Sequence, residues 1–315
     1  MNTALITGGG GFVGRALAGA LSKRGYTVRG LDISGAASAA YEQLGGELVV
    51  GSLLDDERLA AAVQGCELVI HTAARMGTDN DWDGFRAMNV EGPRRVAAAA
   101  RSAGASRMMH LSSVMVYGFD FADGIDETGP LDGADNAYCQ TKIESEEAVL
   151  RYHEPGTFEI FVVRPGDIYG PRCDPWVRGP LGQMRRGEWW WVEDDPARPA
   201  VHNHVYVDNL IDGMFVLLDS EHSGEAFNIT DGCRTGFREF FGHFEKALGA
   251  SFPVLEHDAA RRQLGDMGYR YFTRSSVYSI EKIRALGYQP RVGLEEGMAV
   301  TLAWARAEGL LPAPE

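Results

Sequence analysis

The sequence predicts an α/β protein built on a doubly wound parallel sheet, and three observations carry that expectation. Short continuous apolar runs alternate with helical periodicity over the first two-thirds of the chain, as strands buried on both faces do. A glycine cluster, Gly8-Gly9-Gly10-Gly11, separates the first run from the first helical segment. An acidic residue, Asp32, closes the second run, 18 residues after Gly14.

Taken in order, residues 3–7 (TALIT) read as the first strand, 12–24 as a helix stopping at Gly25, and 26–33 (YTVRGLDI) as the second strand. Further strands are expected at 47–51, 67–72, 107–112 and 158–164, with helices at 55–64, 84–103 and 136–152 between them. From about residue 170 the rhythm changes: Pro171, Pro175, Pro180, Pro196 and Pro199 surround the run Trp189-Trp190-Trp191. Helices are expected beyond it at 207–219, 236–248, 276–286 and 294–309. The expected organisation is a dinucleotide-binding Rossmann domain over 1–170, to which 201–230 return. A smaller mixed C-terminal lobe, 171–200 and 231–315, is expected to bind substrate.

The 315 residues carry a formal charge of −14 and a pI near 5.1. That balance argues against nucleic acid or an anionic membrane as partner, since both reward clustered Lys and Arg. No stretch approaches the roughly 20 apolar residues of a membrane span, and no basic segment precedes the apolar start, so a cytoplasmic location is expected. Cys66, Cys139, Cys173 and Cys233 are far apart and form no CxxC pair, the usage of reduced thiols rather than of a disulfide frame or zinc site. His202 and His204 have no companions at metal-ligand spacing, and no metal is expected.

The glycine loop lies where a strand hands over to a helix. Glycines there let the backbone turn tightly and approach a pyrophosphate, which the free N–H groups and dipole of the helix N-terminus then hold. Asp32 stands near the offset of the acid that binds the adenosine ribose, favouring NAD over NADP. Arg15 and Arg29 are the nearby cations that could reverse that preference.

Tyr138 and Lys142 are four apart in a helical segment and share one face. An ammonium beside a phenol favours the phenolate, and a phenol so tuned can exchange a proton with an alcohol or carbonyl oxygen. Ser113 follows the strand at 107–112, at the carboxyl end where ligands of parallel sheets sit. Each signal alone is weak: YxxxK is common on helix surfaces, and Ser112 or Ser113 alone reads as a turn serine.

Together with His71-Thr72-Ala73-Ala74, Asn89-Val90-Glu91-Gly92, Tyr117-Gly118, the run Arg164-Pro165-Gly166-Asp167-Ile168-Tyr169-Gly170-Pro171, Val205-Tyr206-Val207-Asp208-Asn209 and Leu286-Gly287-Tyr288-Gln289-Pro290, these motifs occur in one order over nearly the whole chain. The sequence resembles the extended short-chain dehydrogenase/reductase superfamily, the NAD-dependent epimerase/dehydratase family, and is nearest to its 3β-hydroxysteroid dehydrogenase-like branch. The resemblance implies that Ser113 orients substrate, Tyr138 is the acid/base, and Lys142 positions the ribose and tunes the tyrosine. It implies cofactor contacts from Gly8, Gly11, Phe12, Val13, Gly14, Asp32, Ser52, Leu53, Thr72, Ala73, Ala74, Asn89, Tyr138, Lys142, Pro165 and Ile168. Two departures stand out: Ser52 replaces a frequent Asp at the adenine, and Asp167 replaces a frequent Asn.

Dehydratases of the family carry an Asp-Glu type pair after the Ser/Thr; Val114 and Met115 stand there instead, which argues against 4,6-dehydration. Nucleotide-sugar members commonly carry an Arg before the Val-Tyr-Val-Asp stretch, where this chain has His202, Asn203 and His204. The expected reaction is hydride transfer between NAD and a secondary alcohol or ketone on an apolar, steroid-like small molecule. The tryptophan run, with Met76, Met184 and Phe119, is a candidate apolar wall, although packing at a lobe interface is the favoured explanation of those tryptophans. The alternatives are a nucleotide-sugar 4-epimerase with tightly bound NAD and a regulator that senses NAD without turnover; an intact Ser, Tyr, Lys set argues against the latter. A homodimer through the helices at 84–103 and 136–152 is expected from the family.

Overall fold

The computed structural model describes residues 2–77, 79, 81–133 and 135–313. In chain order its strands and α-helices are β1 (Thr3–Thr7), α1 (Phe12–Lys23), β2 (Thr27–Asp32), α2 (Ser38–Gln43), β3 (Glu47–Val50), α3 (Asp56–Val63), β4 (Leu68–His71), α4 (Trp82–Arg86), α5 (Gly92–Ser102), β5 (Arg107–Leu111), α6 (Ala137–Leu150), β6 (Glu159–Pro165), β7 (Asp167–Tyr169), α7 (Gly179–Arg185), β8 (Trp191–Val192), β9 (His204–Tyr206), α8 (Val207–Leu218), β10 (Ala226–Ile229), α9 (Phe237–Leu248), β11 (Val254–Leu255), α10 (His257–Phe272), α11 (Glu281–Arg284) and α12 (Leu294–Ala307). The strands β1 to β6 fall within two residues of the positions expected from the apolar runs.

The chain divides into two compact units. Met1–Gly118, Pro130–Pro165 and Gly213–Phe227 form the first; Phe119–Gly129, Gly166–Asp212 and Asn228–Glu315 form the second. The main sheet has seven strands in the order β10-β6-β5-β4-β1-β2-β3, and β1 to β6 pair in parallel. The order reverses between β1 and β4, the switch point beyond which ligands of doubly wound sheets bind. Register there pairs Thr7 with His71 and His71 with His110.

Leu5, Val69, Met108 and Ile160, from β1, β4, β5 and β6, meet Leu59, Ala62 and Val63 of α3, Val96, Ala97 and Ala100 of α5, and Val149 of α6 in one buried cluster. The alanine run of α5 therefore serves close helix-on-sheet packing on its inner side. The helix expected over 84–103 is interrupted: Ala87–Glu91 form a π-helical turn in which the Gly92 N–H donates to the Ala87 carbonyl. Pro93 explains the widening, because it has no N–H to continue the α ladder.

Two expectations for the second unit need correction. The helix expected at 276–286 is only α11, while Tyr278 forms an isolated bridge with Ile125. The sixteen-residue α10 was not expected, because Gly265 and Gly268 break its periodicity; Gly265, at φ 71°, kinks it.

The helix α6 is pinned to the sheet by charge as well as by apolar contact. Its N-terminus is capped by Asn136, whose side chain accepts the Cys139 N–H at 2.9 Å. Further along, Glu146 receives a bidentate Arg164 guanidinium at 2.9 and 2.7 Å and the Ser112 hydroxyl at 2.5 Å. Arg164 also donates to the Tyr117 hydroxyl at 2.7 Å. Both charged side chains are 5–6% exposed, so neither has water to replace the other. Glu146→Gln is therefore expected to cost about 3–5 kcal/mol, because it strands a buried guanidinium. Urea unfolding should show a lower midpoint at unchanged slope; a loss below about 1 kcal/mol would rule this account out.

Candidate active site

The loop between β1 and α1 is shaped by glycine where nothing else fits. Gly8 sits at φ +72°, and its N–H donates to the Leu31 carbonyl at 2.8 Å. A Cβ on Gly14 would lie 2.3 Å from the Gly8 carbonyl oxygen, so glycine alone lets α1 begin against the loop. The α1 N-cap, Gly11, offers no side-chain cap, and its first turn holds no acidic residue. Its N-terminal N–H groups and dipole are thus left for an anion. Below the loop, buried Tyr41 of α2 donates its hydroxyl to the Gly9 carbonyl at 3.2 Å.

Asp32 closes β2 beside this loop: one carboxylate oxygen accepts the Gly10 N–H at 3.0 Å and the other the Ser34 N–H at 3.0 Å. Arg29 is committed elsewhere, to Glu47 at 2.6 Å and to the carbonyls of Ala62 and Gln64. Arg15 donates to the Ala36 carbonyl at 3.1 Å. An uncapped helix end, a positive-φ glycine turn and a carboxylate at the second strand fit the pyrophosphate and ribose of a dinucleotide.

The other residues implied in cofactor contact differ in their surroundings. The Thr72 hydroxyl donates to the Thr7 carbonyl at 2.9 Å, and a Cβ on Gly8 would strike the Ala73 N–H at 2.7 Å, so these segments lie flush. Asn89, in the π-helical turn, grips the backbone just beyond Ala74: it accepts the Arg75 N–H at 2.7 Å, donates to the Arg75 carbonyl at 3.0 Å, and reaches Thr141 of α6 at 3.3 Å. Ser52 accepts the Leu54 N–H at 3.1 Å. The Leu53 side chain is spent in the apolar core. Pro165 is buried at the end of β6, and Ile168, half-buried, lies in β7 paired with Val205.

Ser113, 8% exposed, caps a short 3₁₀ turn (Val114–Tyr117), its Oγ accepting the Met115 N–H at 3.1 Å. That bond uses a lone pair and leaves the hydroxyl proton free to donate. Tyr138 is half-buried in the first turn of α6, and Lys142 lies one turn on, fully enclosed. Lys142 Nζ donates to the Leu111 carbonyl at 2.8 Å and sits 5.8 Å from the Tyr138 ring centroid. Burial pushes the Lys142 ammonium down to about 8, against a smaller upward pull from Glu146.

Beneath Lys142 the stacked imidazoles of His71 and His110 are buried, bonded to Thr7 at 2.7 Å and Ser145 at 2.9 Å. Burial holds both well below the ordinary histidine range, so they are neutral packing. The sequence pointed to no role for Tyr41, Glu146 or His110, and His71 and Arg164 stood out there only as members of motif runs. Glu146 did leave a signal, four residues beyond Lys142 on the same face, and so did Arg164, a lone charge in an apolar strand.

The second unit holds an open cavity of about 880 Å³ lined by Phe119, Phe121, Trp191, Phe237, Tyr269 and Phe272 together with Arg198, Arg238, Arg261 and Arg270. Arg270 pairs with Asp120 at 2.5 Å, and Arg238 and Arg261 lie 3.6 and 3.7 Å from Asp194 and Asp266. Trp189 is buried against Trp191, Phe241 and Phe272, and Met184 is buried too. Met76 is exposed in the first unit. His202 is caged by Trp176, Phe237, Phe240 and Phe241, and burial keeps it neutral.

The sequence pattern of the NAD dependent epimerase/dehydratase family matches residues 4–230. A 4-hydroxy-2-methyl-3-oxo-4-farnesyl-3,4-dihydroquinoline-1-oxide ketoreductase from Stigmatella aurantiaca is 30% identical over 98% of this chain and 98% of its own. A UDP-glucose 4-epimerase from Mycolicibacterium smegmatis is 29% identical over 96% and 98%. The solved UDP-glucuronic acid 4-epimerase of Bacillus cereus shares the fold, with a TM-score of 0.80 at 22% identity over 97% of this chain and 99% of that one. The chain belongs to the NAD dependent epimerase/dehydratase family, the extended branch of the short-chain dehydrogenases/reductases. It is an enzyme of that type, and its cofactor is NAD. No helix among the described residues is long and apolar enough to cross a membrane.

The depressed Lys142 ammonium fixes a pH dependence. Its folded value, about 8, lies below the 10.5 of an unperturbed lysine, so between those values the unfolded chain binds more protons. Stability contributed through Lys142 is lowest below pH 8 and rises as pH climbs toward 10.5, by up to about 3 kcal/mol. Unfolding free energies of the wild type and Lys142→Met across this window should converge as pH rises. A gap that stays constant would mean the amine titrates normally.

Proposed function

We propose that the protein transfers hydride between NAD and a secondary alcohol or ketone on an apolar substrate. The observation that carries this reading is the Tyr138–Lys142 pair on α6 with Ser113 at the end of β5, and no further acid or base at Val114 or Met115. Such a set has one proton to move and no second group to expel water from a neighbouring carbon.

The glycine loop from Gly8 to Gly14 would hold the pyrophosphate and Asp32 the adenosine ribose, and NAD bound there supplies or accepts the hydride. In the reduction direction the Ser113 hydroxyl donates a hydrogen bond to the substrate oxygen, and Tyr138 Oη gives that oxygen its proton. Oxidation runs the same proton the other way. Lys142 has committed one of its three N–H donors to Leu111; the other two are left for the cofactor ribose and the proton's return path. Its charge also favours the tyrosinate that forms when Tyr138 gives up its proton.

The apolar substrate class is supported by the aromatic lining of the cavity in the second unit and by the neutral, caged His202 where nucleotide-sugar enzymes of the family commonly carry an arginine. The similarity to a ketoreductase over the full chain points the same way. One observation favours a nucleotide-sugar 4-epimerase instead: Arg198, Arg238, Arg261 and Arg270 line the same cavity, and guanidinium pairs suit a diphosphate.

Purified protein mixed with NAD and a panel of hydroxysteroids and long-chain secondary alcohols should generate NADH absorbance. Conversion of UDP-sugars to their 4-epimers without net NADH, with every alcohol inert, would transfer the assignment to the epimerase reading. Tyr138→Phe should lower kcat by roughly 10²–10⁴-fold with little change in NAD affinity, as read from steady-state kinetics and NAD titration; retention of full kcat would remove Tyr138 from the proton step.

A further inference from the structure

The second unit holds a cluster of ionisable groups that the proposed reaction does not use. Strand β10 ends at Ile229, and the turn after it, Thr230-Asp231-Gly232-Cys233-Arg234-Thr235, folds back beside β9. Gly232, at φ +66°, makes that turn possible, its N–H donating to the Thr230 hydroxyl at 3.0 Å. The turn brings three side chains into line. Asp231 Oδ2 lies 2.8 Å from His204 Nδ1, and Cys233 Sγ lies 3.5 Å from His204 Nε2. The Thr235 hydroxyl bridges, 2.8 Å from the same nitrogen and 3.4 Å from the sulfur.

The imidazole is held rigidly. His204 is 2% exposed, edge-packed against Tyr169 and tilted over Phe240. Asp231 is fixed in turn, accepting the Tyr206 N–H at 3.1 Å and the Asn209 amide at 2.8 Å. Cys233, by contrast, is exposed, whereas Cys66, Cys139 and Cys173 are buried. A free thiol hydrogen-bonded to a buried, carboxylate-oriented histidine while its own residue faces solvent is the arrangement that makes thiolates nucleophilic.

We infer that Cys233 is a nucleophilic thiolate and a covalent modification site, which takes disulfides of low-molecular-mass thiols. The Cys233 sulfur attacks one sulfur of RS–SR; that S–S bond breaks as the Cys233–S–S–R bond forms, and RS⁻ leaves. The proton held on His204 Nε2 passes to the departing RS⁻, giving RSH. Cys233 is oxidised by the half of the disulfide that is reduced, and no other oxidant enters.

The electrostatics agree with the geometry. Burial draws His204 downward, but its bonds to Asp231 and Cys233 outweigh that and raise it to about 9, so it is charged at neutral pH. Burial of the sulfur alone would raise the Cys233 thiol, yet the His204 hydrogen bond and charge bring it below its ordinary value. Asp231 opposes this by its charge, the Tyr169 and Tyr288 hydroxyls are held protonated and neutral by burial, and the Arg284 guanidinium lies beside Gly232. The other three thiols are pushed up by burial, Cys139 and Cys173 to about 12, so the protein carries its own unreactive controls.

The test is incubation of the native full-length protein with glutathione disulfide at pH 7, followed by intact-mass and peptide mapping. A single glutathione adduct on Cys233, absent from Cys233→Ser, is the expected result. Iodoacetamide alkylation of the native wild type across pH should titrate with a midpoint below the roughly 8.5 of a free thiol, and His204→Gln should slow alkylation at pH 7 about tenfold. Should His204→Gln fail to fold, as circular dichroism would show, the wild-type midpoint decides. A midpoint at or above that of a free thiol, or adducts distributed over Cys66, Cys139 and Cys173 in native protein, would overturn the inference.

Discussion

The first unit depends on how α6 is held against the carboxyl ends of β5 and β6. Two charged side chains on one helix face do this. Lys142 is bonded to the last carbonyl of β5, and Glu146, one turn further, holds both Ser112, next to Ser113, and Arg164 at the end of β6. Tyr138 belongs to the same face, so its position along the sheet follows from these two anchors. A buried ion pair is a poor source of net stability compared with apolar packing of the same volume. Its value here is directional: a bidentate guanidinium accepts one helix register, whereas a greasy contact accepts several.

The fold was largely legible in the sequence because parallel strands buried on both faces leave continuous apolar runs, and glycine marks most of the places where the backbone takes a positive φ, Asp135 and Arg172 excepted. What failed was local. A proline without an N–H turned the stretch around Asn89 from an α-helix into a π-helical turn, which no hydrophobic period reveals. The helix α10 was hidden by two glycines inside it.

The site was legible unevenly. Residues at strand ends and in the glycine loop stand in fixed order and betray one another. The groups supporting them come from positions far apart in sequence and carry no spacing rule. Tyr41 beneath Gly9, Arg164 against Glu146, and His71 on His110 are each meaningful only once two strands or a strand and a helix have been brought side by side. The tryptophan run illustrates the opposite problem: identical neighbouring residues divide their tasks by packing, with Trp189 sunk among aromatics and Trp191 reaching the cavity wall.

Asp32 carries a consequence for how this chain can change over evolutionary time. Its carboxylate already accepts the Gly10 N–H, so the side chain proposed to bind the adenosine ribose also braces the glycine loop. A chain drifting toward a phosphorylated ribose would have to surrender that acid, and with it a strut of the glycine turn, before any new cation could compensate. Arg29, the nearest basic residue on the same strand, is occupied with Glu47 and two carbonyls and is not spare for the purpose. On the proposed reading the preference would be guarded twice, by charge and by architecture, and a single substitution crossing between the two nucleotides would first pass through a loosened loop.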